Sequence, residues 1–484
     1  MEKVWNFSKY NHNIAMIDEN GCALSFLELE KLSGKFFGYA GQRRCLAFIL
    51  CSNTIGSIVS YISCVNNGIV PLLLNSEIDI EFFNKIYALY KPRLLIMPKY
   101  YIPKINQLGY GRESTASFQI KDYFVFINNK NPEIQMNEDL ALLLSTSGST
   151  GSPKFVRQSY KNIISNANAI KEYLRLNETE RPITTLPMNY TYGLSVINSH
   201  LMAGAMILVT GKSLMQKEFW TFFKENGATS FSGVPYTYEM LDKLRFTRMR
   251  LPSLRTMTQA GGKLSLELHK KFAEYANESG KKFVVMYGQC EATARMGYLP
   301  AEKSIEKIGS MGIAIPGGRF SLVDDSGIEI NGCDIIGELV YEGDNVTLGY
   351  AESKDDLKLN DMNNGKLFTG DMAKRDADGY YYIVGRKKRF LKIYGNKVNL
   401  DELERMIKAQ FKINDLVCGG EDDRLLFFAT DKDRIEDIRS FAAEKTHINP
   451  AAFFGVYLDS IPRNDAGKIL YRELEKYYYG KQKS

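Results

Sequence analysis

"STSGSTGSPK", residues 145–154, sets Ser and Thr side chains around two glycines and closes on proline and lysine. By composition alone this is a flexible linker. Its flanks argue otherwise. Immediately before it runs Leu140-Ala141-Leu142-Leu143-Leu144, an apolar run short enough for a buried strand. After it, Ser159 is placed to cap a helix on which Ile163, Ile164, Ala167, Ile170 and Leu174 recur on one face. A strand, a Gly-rich loop and a helix, in that order, form the setting in which backbone N–H groups converge on an anion. The common P-loop is disfavoured, because it places Gly before the Lys and Ser or Thr after it, whereas Pro153 precedes Lys154 and Phe155 follows. The stretch predicts a phosphate grip of another kind.

Outward from this loop, short apolar runs alternate with helical patterns from residue 45 to about 290. CLAFIL, VPLLL, LLIM, YFVFI, LALLL, TTLPM, AMILVT and KFVVMYG are the clearest strand candidates. The alternation reads as α/β with largely parallel sheets, two sheets fitting better than one very wide one. From 310 to 385 the signal changes to short strands and turns: FSLVDDSGIEI, IGELVYEG and DADGYYYIVG, with turn signals at Asp325-Ser326-Gly327 and Asp378-Gly379. A small antiparallel β unit is expected there. After Gly385 come a lysine-rich connector, a helix over 400–410, a hairpin around GGEDDRLLFFA, a helix near 434–445 and a turn over 462–467. The expected fold class is therefore α/β. A large N-terminal domain over 1–386, made of two α/β subdomains plus the antiparallel unit, precedes a small α+β domain over 387–484.

Length and composition narrow the function classes. A chain of 484 residues is too long for one core. A net charge of +6 is small for that length and gives no argument for a nucleic-acid partner. The seven cysteines are odd in number, without metal-ligand spacing, and the four histidines do not cluster, so no structural zinc is expected. The N-terminus lacks the order of a signal peptide. Cys45 to Leu74, the most apolar region, is broken by Asn53, Asn66 and Asn67, so it reads as strand, helix, strand rather than a membrane span. A reduced, cytoplasmic setting is expected.

Several separated segments together resemble the adenylate-forming superfamily, which includes acyl-CoA synthetases, aryl-acid ligases, luciferases and peptide synthetase adenylation domains. Thr146-Ser147-Gly148-Ser149-Thr150-Gly151-Ser152-Pro153-Lys154 matches the family's phosphate loop. Tyr287-Gly288-Gln289-Cys290-Glu291 resembles its Y-G-x-T-E, Gly337-Glu338-Leu339 its G-E-L, and Thr369-Gly370-Asp371 its T-G-D. Gly385-Arg386-Lys387-Lys388 is similar to the motif at the interdomain hinge, and Asn464-Asp465-Ala466-Gly467-Lys468 to the final N-x-x-G-K. Taken singly, Asp371 is a turn residue, Tyr287 a core residue, Glu291 a surface helix residue and 386–389 a solvated basic run. The order in which they occur reverses those readings.

The resemblance implies a chemistry: a carboxylate is joined to AMP from ATP with release of pyrophosphate, and the acyl group then passes to a thiol, of CoA or of a carrier protein's phosphopantetheine. Two anions must meet in the first step, so cations and oriented N–H groups have to offset their repulsion. By resemblance, Ser147, Thr150 and Lys154 give donors to the phosphates, with Gly148, Ser149 and Gly151 shaping the loop. Thr146, Glu291 and Lys468 are the implied catalytic residues, Glu291 as the Mg²⁺ ligand and Lys468 as the bridge between the attacking carboxylate and the α-phosphate. Gly261, Gly262, Tyr287, Gly288, Gln289, Cys290 and Ile383 are placed around the nucleotide, and Asp371 with Arg386 at the ribose hydroxyls. Lys388 stands at the hinge about which a mobile C-terminal domain would turn between the two steps, with Gly395 near the thiol channel.

The acid is expected among Tyr190, Tyr192, Gly193, Val234, Pro235 and Ala260. Tyr190 stands where the family commonly has His, Cys290 where it has Thr, and Phe155 where Gly follows the lysine. Amino-acid-activating members hold the substrate ammonium with an Asp, and the matching position here is Thr191. A small carboxylic or aryl acid is expected instead. The alternatives are an amino-acid-activating ligase serving a carrier protein, an adenylate oxidase of the luciferase kind, a silent member of the fold and a conventional P-loop NTPase. Intact Lys154, Glu291, Asp371 and Lys468 argue against silence.

Overall fold

The computed structural model describes residues 3–107, 116–128, 133–145, 154–394, 396–463 and 469–479. Thr146, Ser147, Gly148, Ser149, Thr150, Gly151, Gly395 and Lys468 lie outside the described residues. The chain forms two compact units, Met1–Arg319 with Tyr341–Leu367, and Phe320–Val340 with Phe368–Ser484.

An eight-stranded sheet organises the first unit. Its centre is parallel: Leu46–Cys51 pairs on one side with Val70–Asn75 and on the other with Leu94–Pro98, and Val70–Asn75 pairs in turn with Leu140–Ser145. Along Leu46–Cys51 the side chains alternate between two cores. Ala47, Ile49 and Cys51 join Ile58, Val59 and Ile62 of the helix Ile55–Asn66, while Leu46, Phe48 and Leu50 join Phe83, Ile86 and Tyr90 on the other face. A strand buried on both faces needs the near-continuous apolar run that the sequence shows. Each such side chain taken out of water contributes roughly 1.5–3 kcal/mol. Cys45 to Leu74 is thus strand, helix, strand, and among the described residues no helix is long and apolar enough to cross a membrane.

The edges correct the expectation of largely parallel sheets. Tyr123–Ile127 runs antiparallel to Leu94–Pro98, and Phe155–Ser159 antiparallel to Leu140–Ser145. The second correction concerns the loop itself. Another strand follows it before the helix Tyr160–Leu174 begins, so the loop joins two antiparallel strands rather than a strand to a helix. The strand Phe155–Ser159 is buried along its whole length although it carries the polar Arg157 and Gln158. The cap is as expected: Ser159 Oγ accepts from Asn162 N–H, and Ile163, Ala167, Ile170 and Leu174 are buried.

A second sheet of the first unit places Ser230–Gly233, Thr256–Gln259 and Lys282–Tyr287 in parallel, with two short antiparallel strands beyond. TTLPM is not a strand; the backbone before it makes only isolated bridges at Pro182 and Ile183. The second unit's sheet runs in the order Gly318–Val323, Gly337–Gly343, Lys366–Arg375 and Tyr381–Arg386. The lysine-rich connector then continues into an antiparallel ribbon, Phe390–Ile393 with Asn396–Asn399, rather than a plain linker. Beyond it, the helices Leu400–Phe411 and Ile435–Thr446 pack on the hairpin Leu416–Glu421 and Arg424–Ala429, which Phe453–Tyr457 joins in parallel.

Candidate active site

Lys154 is the last residue of the quoted stretch and the first described residue after the loop. Its Nζ lies 3.9 Å from the centroid of the Tyr350 ring, close enough for a cation–π contact. The hydroxyl of the same Tyr350 donates to Glu291 Oε1 over 2.7 Å. One phenol therefore collects a cation and a carboxylate that the sequence separates widely. Burial, reinforced by the Glu291 charge, pushes the Tyr350 phenol up, so it stays a proton donor. A hydrogen bond to an ionised carboxylate is worth about 1.5–3 kcal/mol.

The backbone on both sides is held in place. Glu291 O accepts from Thr347 N–H and from Thr347 Oγ1, each over 3.0 Å. Tyr350 begins a two-residue strand paired with Val156. Beneath it, the fully buried Arg157 donates to four carbonyls: Tyr350 O (3.1 Å), Leu348 O (2.6 Å), Leu359 O (2.5 Å) and Asn360 O (3.1 Å). Neither Tyr350 nor Arg157 was singled out from the sequence. The phenol's partner lies 59 residues away, and a lone arginine in FVRQS gives no sign of four carbonyl acceptors.

The Y-G-x-T-E segment turns sharply. Tyr287 ends the strand Lys282–Tyr287 half-buried, and its hydroxyl accepts from Gln289 Nε2 over 3.2 Å. A Cβ on Gly288 would lie 1.6 Å from Ala294 O, so only glycine fits. Thr293 and Ala294 both have positive φ, 50° and 83°, a concentration of backbone strain beginning two residues after Glu291. Cys290 is buried, with Sγ 3.9 Å from Ser145 O, which sets it at the end of the strand leading into the loop.

The residues expected to hold the acid all lie within the first unit. Tyr192, Val234 and Ala260 are buried in one cluster with Tyr190 packed against it. Gly261, at φ +84°, leaves room for the Tyr190 hydroxyl, which a Cβ there would approach to 2.6 Å. Gln259 Nε2 donates to Gly262 O over 2.8 Å and shapes that turn. Gly193 lies in the helix Thr191–Met202 where a Cβ would meet Pro187 O at 2.3 Å, and Pro235 opens the helix Pro235–Lys243. Burial pushes the Tyr190 phenol up, and Thr191 is buried without an acidic neighbour in sequence.

In the second unit, Asp371 and Arg386 face each other across paired strands, with Asp371 Oδ1 3.1 Å from Arg386 Nε. The carboxylate is buried and the guanidinium exposed. Thr369 Oγ1 accepts from Asp371 N–H and donates to Leu339 O, so the T-G-D turn is tied to the G-E-L strand. Ile383, half-buried, pairs in register with Ala373. Lys388 lies in a single turn between that sheet and the following ribbon.

A lysine that closes a hydroxyl-rich sequence and a distant glutamate meet on one tyrosine, the pairing of cation and carboxylate that a nucleotide-dependent enzyme needs. Residues 5–351 match the family described as AMP-binding enzyme, and the chain belongs to that family. Among its relatives, 4-coumarate–CoA ligase-like 2 of Arabidopsis thaliana is 28% identical over 70% of this chain and 61% of its own length. A 2-succinylbenzoate–CoA ligase of Bacillus licheniformis is 25% identical over 93% of each chain. Among solved structures, the o-succinylbenzoate coenzyme A synthetase of Bacillus subtilis in complex with AMP shares the fold with a TM-score of 0.77 at 22% identity, covering 97% of this chain and 96% of that one. Membership brings the ATP-dependent activation of a carboxylic acid and its transfer to a thiol, the chemistry that the motifs imply.

Proposed function

We propose that this chain converts a small carboxylic acid and ATP into an acyl-adenylate and pyrophosphate, and then hands the acyl group to coenzyme A. The meeting of Lys154 and Glu291 on Tyr350 carries this reading. Lys154 supplies the cation for the phosphates, and the Tyr350 ring and hydroxyl orient it relative to Glu291. Among the described residues no three or more His, Cys, Asp or Glu side chains form a metal cage. A single carboxylate is nonetheless what Mg²⁺ asks of a protein when nucleotide phosphates complete its shell. Bound there, the ion would neutralise phosphate charge; Glu291 holds it and Tyr350 fixes the carboxylate. By the family resemblance, Tyr287 and Gly261 are the residues for the base, Asp371 with Arg386 those for the ribose hydroxyls, and Lys468 the bridge between the acid and the α-phosphate. Lys388 is the pivot for residues 387 onward.

Coenzyme A is favoured over a carrier protein because the relatives above are CoA ligases. No disulfide joins any of the seven cysteines, which supports a reducing, cytoplasmic setting. The reading is tested by exchange of labelled pyrophosphate into ATP across a panel of carboxylic acids, followed by addition of CoA. Exchange depends on one class of acid, thioester forms with CoA, and Lys468→Ala lowers exchange by about 10²–10³-fold. Folded protein that exchanges with no acid would contradict it.

A further inference from the structure

We propose that Arg295 binds a second carboxylate on the acid, so that the substrates of this pocket are dicarboxylic acids. The inference rests on the acid-activating reading above and narrows it to a substrate class.

Arg295 is only 2% exposed and packs on Tyr192, one of the residues expected to hold the acid. Its guanidinium lies over the Tyr192 ring, 5.2 Å from the centroid. Nε donates to Ser195 Oγ over 3.0 Å, and Nη1 donates to Tyr173 Oη over 3.1 Å and reaches Met286 Sδ at 3.4 Å. Every one of these partners is neutral. Among the described residues no carboxylate pairs with Arg295, and Nη2 has no hydrogen-bond partner. Tyr192 and Met286 belong to the same cluster as Val234 and Ala260. The surroundings are also fixed. Tyr173 stacks on Tyr298 with centroids 4.2 Å apart, and Tyr192 Oη, Thr258 Oγ1 and Ser232 Oγ form a chain at 2.8 Å spacings.

An ionised group held away from water without a counter-charge is costly, and proteins rarely keep one that nothing answers. The missing anion is supplied by the ligand. A guanidinium with a free edge suits a carboxylate, whose two oxygens match its fork of N–H donors. The reacting carboxylate is committed to the nucleotide, so the anion that meets Arg295 belongs to the far end of the acid. A monocarboxylic acid of the same shape would leave the guanidinium buried and unanswered.

Matched pairs test this. Pyrophosphate exchange is measured with succinate, glutarate and phthalate, each beside its monoamide, and with butanoate and benzoate, in wild type and in Arg295→Met and Arg295→Lys. The wild type is expected to prefer a diacid over its monoamide by ~10²-fold or more in kcat/KM, because an unmatched buried charge is penalised on that scale. Arg295→Met removes the preference, chiefly by raising KM for the diacid, while its turnover of the monoamide shows that the variant is folded. Arg295→Lys restores part of the preference. Wild-type enzyme that uses monoamides or monocarboxylic acids as well as diacids would overturn the inference and leave the acid-activating reading standing. So would Arg295→Met losing both kinds of acid equally. Exchange with no acid at all would remove the acid-activating reading and this one with it.

Discussion

Two arginines, Arg157 and Arg295, are among the largest fully buried side chains of the first unit, and they are satisfied in opposite ways. Arg157 spends its N–H groups on four backbone carbonyls of the segment 348–360, a purely structural use. Arg295 meets a serine hydroxyl, a tyrosine hydroxyl, a thioether and an aromatic face, with one edge left over. Burial does not separate a functional arginine from a structural one. What separates them is whether the protein itself completes the charge's partners. That structural use includes the backbone of Tyr350, whose carbonyl Arg157 Nε holds.

The sharpest way to break this comparison is to remove each arginine and measure unfolding. Arg157→Met strands four carbonyls and is expected to cost about 3–5 kcal/mol of stability by denaturant titration, whereas Arg295→Met costs ~1 kcal/mol or less, or stabilises, because it removes an uncompensated buried charge. Equal losses would make the two arginines equivalent. A smaller effect comes from His200, a third buried basic group, near Arg295. Burial lowers the His200 imidazole to about 4 from an ordinary 6.5, and the Arg295 charge adds to the fall. The folded state therefore holds His200 neutral. Its contribution to stability is fully present above pH 6.5 and is lost as pH falls from 6.5 towards 4, amounting to roughly 3 kcal/mol. His269, lowered to about 4 by burial in the same way, contributes over the same range. His200→Gln should flatten the acid side of the stability profile by the His200 share, and an unchanged profile would show that His200 does not titrate on unfolding.

The sequence made the central strands legible because each is buried on both faces and so reads as a continuous apolar run. It hid Phe155–Ser159 for the converse reason: Arg157 and Gln158 are polar by type and buried by position, and only their partners reveal it. The motif residues Lys154, Glu291 and Asp371 could be named because the ordered segments that carry them resemble those of the adenylate-forming superfamily. Tyr350 could not, since its function depends on a ring under one of those residues and a hydroxyl against another. Arg295 was invisible for a deeper reason. Its significance is the lack of a carboxylate around it, and a linear sequence does not show which side chains fail to meet. TTLPM failed as a strand because, after Thr184 N–H donates to Leu208 O, its backbone turns to a side chain: Leu186 O accepts from Asn53 Nδ2, Met188 N–H donates to Asn53 Oδ1, and Pro187 carries no N–H.

The central claim is that Lys154 and Glu291 act as one centre through Tyr350. A double-mutant cycle on acid-dependent pyrophosphate exchange, with Lys154→Met, Glu291→Gln and the pair, tests it most directly. The account predicts a coupling of about 0.5–3 kcal/mol, so that the double variant loses little more than the worse single one. Losses that simply multiply would mean that the two residues work independently, and would contradict it.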